Sequence, residues 1–199
     1  MKIPTSRKEL IDISKAWLAL SFAFALIFAN ASVLGGSLSK ILSVHFLILV
    51  VVALCTAGLG FLLHELSHKF VAQRYGCQAE FRAFDQMIVL AVSLALFIGW
   101  IFAAPGAVMI SGMVTRRENG IISVAGAVTN YVLALLFLGL GFLLPRWGIV
   151  TSIGFGVNAW LGLFNMIPFG PLDGLKVFHW SKAVWGGMVA VGIVLVFFL

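Results

Sequence analysis

The chain has 199 residues, of which 62% are hydrophobic and 10% charged, whereas a soluble domain is about 45–50% apolar and ~25% charged. That balance excludes an ordinary soluble domain and describes an all-α polytopic membrane protein, read as one domain over residues 1–199 with its core at 42–180. The net charge of +6 matches the basic bias of cytoplasmic loops, and with no basic run interleaved with aromatics, nucleic acid is not an expected partner.

Residues 1–15 are polar and basic, and an apolar run follows at 16–34. The long polar lead, with Glu9 and Asp12 in it, reads as an uncut signal anchor rather than a cleaved leader. Asn30-Ala31-Ser32 is a formal glycosylation sequon, but so close to an apolar span it reads as chance. Apolar runs at 42–70, 121–144 and 149–167 meet the ~20 residues a membrane helix needs. The run at 183–199 is shorter but adequate with flanking anchors. Between them, residues 87–113 are uncharged and broken at Pro105-Gly106. Cys55 and Cys77 have no paired spacing and support no disulfide framework.

Lysine and arginine set the orientation. Lys2, Arg7, Lys8 and Lys15 place the N-terminus in the cytoplasm. If residues 87–113 dip into the membrane and return, eleven of the 13 basic residues lie inside and only Lys40 and Arg146 outside. This gives five full transmembrane helices plus one re-entrant or extended element; a true crossing gives six spans. Non-helical backbone at membrane depth must be buried in protein or line a cavity. The Gly, Pro and β-branched content of 103–112 suits a strand or hairpin, and a kinked helix end is the alternative.

Residues 61–70 read FLLHELSHKF. On a helix, His64 and His68 share one face, the spacing at which two imidazoles bind one Zn2+. Glu65 points ~100° round the helix and reaches water without being a ligand. The bland alternative is a buried polar cluster without metal. A catalytic zinc takes a third protein ligand. His45 is too far along its helix to supply it, His179 is possible, and Asp173 stands out as a solitary acid in NMIPFGPLDG at 165–174. Pro168 and Pro171 break helical regularity and let the chain swing that carboxylate toward a neighbouring helix. His64 and Asp173 each lie ~13–15 Å from basic anchors at 1.5 Å per residue, which puts all three ligands at one cytoplasmic level. Lys69 and Lys176 are expected to snorkel to that surface.

HELSH at 64–68, N-x-x-P-x-x-x-x-D-G at 165–174 and AGAVTN at 125–130, in that order on membrane helices, resemble the site-2 protease family of intramembrane zinc metalloproteases. The family usually has Pro where Ala127 stands here. The resemblance covers roughly residues 42–180 and is nearest to compact archaeal or bacterial members, without PDZ or CBS modules. It implies a multi-pass protein of a prokaryotic cell membrane, with Zn2+ as cofactor, the lipid bilayer as surroundings and a transmembrane-helix protein as substrate.

On that reading His64, His68 and Asp173 hold the metal and Glu65 is the general base. Asn130, at comparable depth, is the candidate donor to a developing oxyanion, and Asn165 a second candidate at the substrate. Asn158 reads as packing. An unwound substrate pairs with an extended edge, for which Ala107, Val108, Met109 and Ile110 are the candidates. Rival readings are a membrane zinc transporter, an inactive relative that binds helices without cutting them, and a zinc peptidase of another membrane family. The oligomeric state is not legible in the sequence.

Overall fold

The structure, a computed structural model, describes residues 5–101 and 105–199. Lys2 and residues 102–104, which include the head of the 103–112 segment, lie outside the described residues.

Eight helices account for most of these residues, and four stretches are long and apolar enough to cross a membrane: Arg7–Phe28, Val44–Arg74, Arg116–Leu143 and Pro145–Asn165. Helix α1 is Arg7–Phe28, capped by the Ser6 hydroxyl accepting from Glu9 N at 3.0 Å. The apolar run at 16–34 therefore marks the span but not the helix. Glu9 and Asp12, expected in a polar lead, are helical and buried. Past Phe28 the chain turns at Asn30, whose φ is 48°.

The second span is composite. Helix α2, Val44–Ala53, passes through a π-helical turn at Leu54–Gly58 into α3, Leu59–Arg74. In the wide turn, Leu54 O accepts from the Trp17 indole at 3.2 Å. Wide turns of this kind leave carbonyls for other donors.

Strand β1, Gln78–Ala83, and strand β2, Gly106–Ser111, form a two-stranded sheet flanking α4, Asp85–Ile98. The extended expectation for 103–112 is met over Gly106–Ser111; the partner strand β1 was not foreseen. Gly106 lies against Arg82 and Ala83, and Gly112 against Cys77, so the strands run antiparallel. Phe84 N donates to Pro105 O at 2.9 Å. By the two-residue alternation of a strand, Ala107 and Met109 then turn their backbone toward β1, whereas Val108 and Ile110 turn theirs to the other edge.

Helix α5, Arg116–Leu143, opens with a capping box in which Thr115 and Glu118 satisfy each other's backbone N–H. Helices α6, Gly148–Asn165, α7, Asp173–Trp180, and α8, Lys182–Phe197, complete the chain. The seven-residue link between α6 and α7 holds Pro168 and Pro171, which end α6 because proline cannot continue it.

Two compact units emerge, Met1–Leu59 with Phe81–Ala107, and Gly60–Glu80 with Val108–Leu199. The first is cored by Ala23, Leu26, Phe46, Leu49 and Ala95. There Lys15 pairs with Asp85, and Glu9 Oε1 accepts from Phe81 N at 2.9 Å. The second is cored by Ala127, Met166 and Val177, and by Tyr131, Ala134, Ala159 and Leu195. In both, small residues fill the inside while Leu47, Val51, Leu135, Leu136 and Phe142 face outward. Lipid tails are as apolar as leucine, so close packing by small residues rather than exclusion of Leu from the solvent holds such helices together. This is an all-α membrane protein with little sheet.

Candidate metal centre

The site is built in the second unit from α3, α5 and α7. HELSH is helical within Leu59–Arg74, and His64 and His68 are both buried on its inner face. Their rings stand 4.7 Å apart and nearly perpendicular. Asp173 is the first residue of α7, delivered by the proline-containing link. Its Oδ2 lies 3.3 Å from His64 Nε2 and 3.0 Å from His68 Nε2. Gly174 makes this approach possible: a side chain there would strike the Met166 carbonyl and the Ile167 oxygen at the end of α6.

Among the described residues, His64, His68 and Asp173 form the group able to hold a metal ion, with one ligand atom from each lying within 4.8 Å of the others. His179, the possible alternative, stands instead at the end of α7 with its ring near Phe178.

The donor set fits zinc. Two imidazoles and a carboxylate are common zinc ligands, and three of them leave a fourth position open. Each imidazole also presents the right nitrogen. His68 Nδ1 donates to Ile122 O at 2.8 Å, and His64 Nδ1 donates to Asn130 Oδ1 at 2.7 Å. With the proton on Nδ1, the Nε2 lone pairs point together at Asp173. Space is provided by Gly126 on α5, where an added Cβ would sit 2.5 Å from the His64 ring and 2.7 Å from that of His68. Gly126 is the glycine of AGAVTN, so that motif acts as the floor under both imidazoles.

Glu65 is half-buried, and its Oε2 accepts from Val108 N at 3.1 Å. The edge of β2 turned away from β1 therefore runs beside the glutamate next to the ligands. On that strand Met109 is 55% and Ile110 36% exposed.

Other expected residues are placed differently. Both amide hydrogens of Asn130 are engaged, with Gly60 O at 3.2 Å and Asn158 Oδ1 at 3.0 Å, so the group expected to donate to an oxyanion instead accepts from His64. Asn165, the last residue of α6, donates to Leu161 O on its own helix at 2.9 Å. Lys69 does not snorkel: it is 1% exposed and keeps an interaction within the protein. Lys176 stays half-exposed, with its Nζ 3.5 Å from Asp173 Oδ1. Sequence reasoning missed the Ile122 carbonyl, since a backbone acceptor has no residue-type signal, and it took Asn158 for packing.

No family model and no solved structure matches the chain. Curated proteins do. It is 36% identical over 196 residues to "Putative zinc metalloprotease MJ0611" of Methanocaldococcus jannaschii, covering 96% of this chain and 94% of that one. It is 28% identical to the similarly named YwhC of Bacillus subtilis, over 61% of this chain and 65% of YwhC. Rip3 of Mycobacterium tuberculosis, also so named, is 28% identical over 90% of this chain and 44% of its own length. The chain belongs to the site-2 protease-like family of zinc metalloproteases that these archaeal and bacterial proteins represent.

Proposed function

We propose that this chain is an intramembrane endopeptidase that hydrolyses peptide bonds within or near transmembrane helices of other proteins. The observation that carries this reading is the convergence of His64, His68 and Asp173 on helices of a membrane protein, with Glu65 beside a strand edge.

His64, His68 and Asp173 would hold the zinc ion, which when bound would supply Lewis acidity and lower the pKa of water toward ~7. Glu65 takes the proton from the attacking water on a carboxylate oxygen and passes it to the leaving amine. A helical substrate hides its amides, so it unwinds before cleavage. The unwound stretch pairs with the outward N–H and C=O groups of Val108 and Ile110. Ala107 and Met109, whose backbone serves β1, contribute side-chain contacts. Asn165, which among the described residues makes the single bond to Leu161 O, keeps an amide hydrogen for the substrate.

The proposed topology has a cytoplasmic N-terminus, five spans and one re-entrant element. Its support is that α4 has 14 residues, ~21 Å of helix against a ~30 Å hydrocarbon core, and is followed by β2 rather than by more helix. Helix α8 is also short, but its apolar sequence continues to Leu199.

The test is reconstitution in liposomes with a single-span substrate and zinc. Cleavage by the wild type, lost on chelation and restored by zinc, is expected. Zinc flux without cleavage would favour the transporter reading, and zinc binding with neither would favour an inactive helix-binding relative.

A further inference from the structure

The polar network beneath His64 reaches further than a single ligand bond. Asn130 and Asn158 are both 0% exposed. Asn158 Nδ2 donates to Gly154 O at 2.8 Å, one turn back on α6. Its Oδ1 therefore faces Asn130 and accepts from Nδ2 at 3.0 Å, while the second Asn130 hydrogen goes to Gly60 O at 3.2 Å, on α3 four residues before His64. Carbonyl oxygens only accept, so these bonds fix which way each amide is turned. Asn130 Oδ1 is left pointing at His64 Nδ1, 2.7 Å away.

The chain of bonds thus runs from α6 through α5 to the ring, and back to the α3 backbone that carries the ring. Gly60 lets the backbone come this close, since an added Cβ would collide with the Asn158 amide.

We infer that Asn130, oriented by Asn158, is a positioning residue that locks His64 as the Nδ1–H tautomer, with Nε2 aimed at the metal. The inference rests on the metal-centre reading and changes the part that the sequence suggested for Asn130. Its amide has no hydrogen left for the substrate, so it acts through His64. Each bond in the network is buried, where an unpaired amide group is costly and a fully satisfied network is rigid. Partners of this kind behind a metal-bound histidine typically contribute 10–100-fold to metal affinity.

The experiment measures zinc affinity by chelator competition on purified, detergent-solubilised protein, without substrate. Asn130→Leu is expected to weaken zinc binding by about 10–100-fold. Asn130→Asp, which keeps an acceptor oxygen for His64 Nδ1 but sets its second oxygen against Gly60 O and Asn158 Oδ1, is expected to recover part of it. Asn158→Leu never touches the ring and is expected to give a smaller loss in the same direction, and it stands in where Asn130→Leu fails to fold by circular dichroism.

Unchanged affinity in folded Asn130→Leu would overturn the inference and restore a direct role at the substrate. Equal losses in the Asp and Leu variants would overturn it in favour of general packing. Because no substrate is present, failure to cleave membrane helices leaves these outcomes unaffected, whereas a wild type that binds no zinc removes the metal centre and this inference together.

Discussion

Two glutamates in different units make nearly the same bond. Glu9, in the first unit, accepts from Phe81 N of β1 at 2.9 Å; Glu65, in the second, accepts from Val108 N of β2 at 3.1 Å. Both carboxylates sit at a strand edge that is turned away from the partner strand. Their surroundings separate them. Glu9 is 0% exposed and closes a protein interior. Glu65 is half-buried, adjoins the candidate metal ligand His64 and borders a partly exposed strand. A carboxylate on a strand edge is therefore not a functional signal by itself; its neighbours decide whether it seals the edge or works there.

The strongest way to break this comparison is Glu65→Gln. Removing a general base costs typically 10²–10⁴-fold, so cleavage of a single-span substrate, followed on gels, is expected to fall by about that factor. Metal analysis of the same preparation is expected to show zinc retained. Cleavage at the wild-type rate would take the base away from Glu65.

Gly126→Ala probes the floor under the imidazoles. A methyl placed 2.5 Å from His64 must displace a ligand ring, and chelator competition is expected to show zinc affinity lowered by roughly 10–100-fold, as for lost support of a ligand. Glu9→Ala addresses the other glutamate. It leaves Phe81 N without its acceptor, a loss of about 1–3 kcal/mol, visible as a lower unfolding temperature. Zinc affinity there is expected to stay within about twofold, because bonds with no shared partners act independently. Lys176→Met is the mildest change. A half-exposed lysine pair is worth ~0–1 kcal/mol, so zinc affinity is expected to change by no more than about fivefold.

The cluster of His64, His68 and Asp173 was legible because its signals are local and chemically costly. Two histidines four residues apart on an apolar helix, and one acid among prolines, each demand an explanation in hydrocarbon. Their meeting follows from α3 and from the break before Asp173. Strand β1 was not legible. QAEFRA reads as a polar loop, and it becomes a strand only through pairing with β2 and through Glu9, 72 positions earlier. The start of α1 was missed for a related reason: burial of Glu9 and Asp12 depends on distant partners, so hydropathy placed the span but not the helix. Lys69 shows the same limit, since a basic residue near a helix end normally reaches for the surface, and here tertiary contacts enclose it. The π-helical turn at Leu54–Gly58 leaves no trace in an unbroken apolar run. Asn130 was found by depth, but which of its atoms faces the ring is set by Gly60 and Asn158 together.

The hydrogen on Val108 N has one consequence for the order of events during turnover. It serves a single acceptor well at any moment, and at rest that acceptor is Glu65. A peptide that takes its place along β2 as proposed must claim the same hydrogen. Occupancy of the edge and release of the carboxylate are then one exchange, and the idle chain keeps its proposed base tethered until a partner strand arrives.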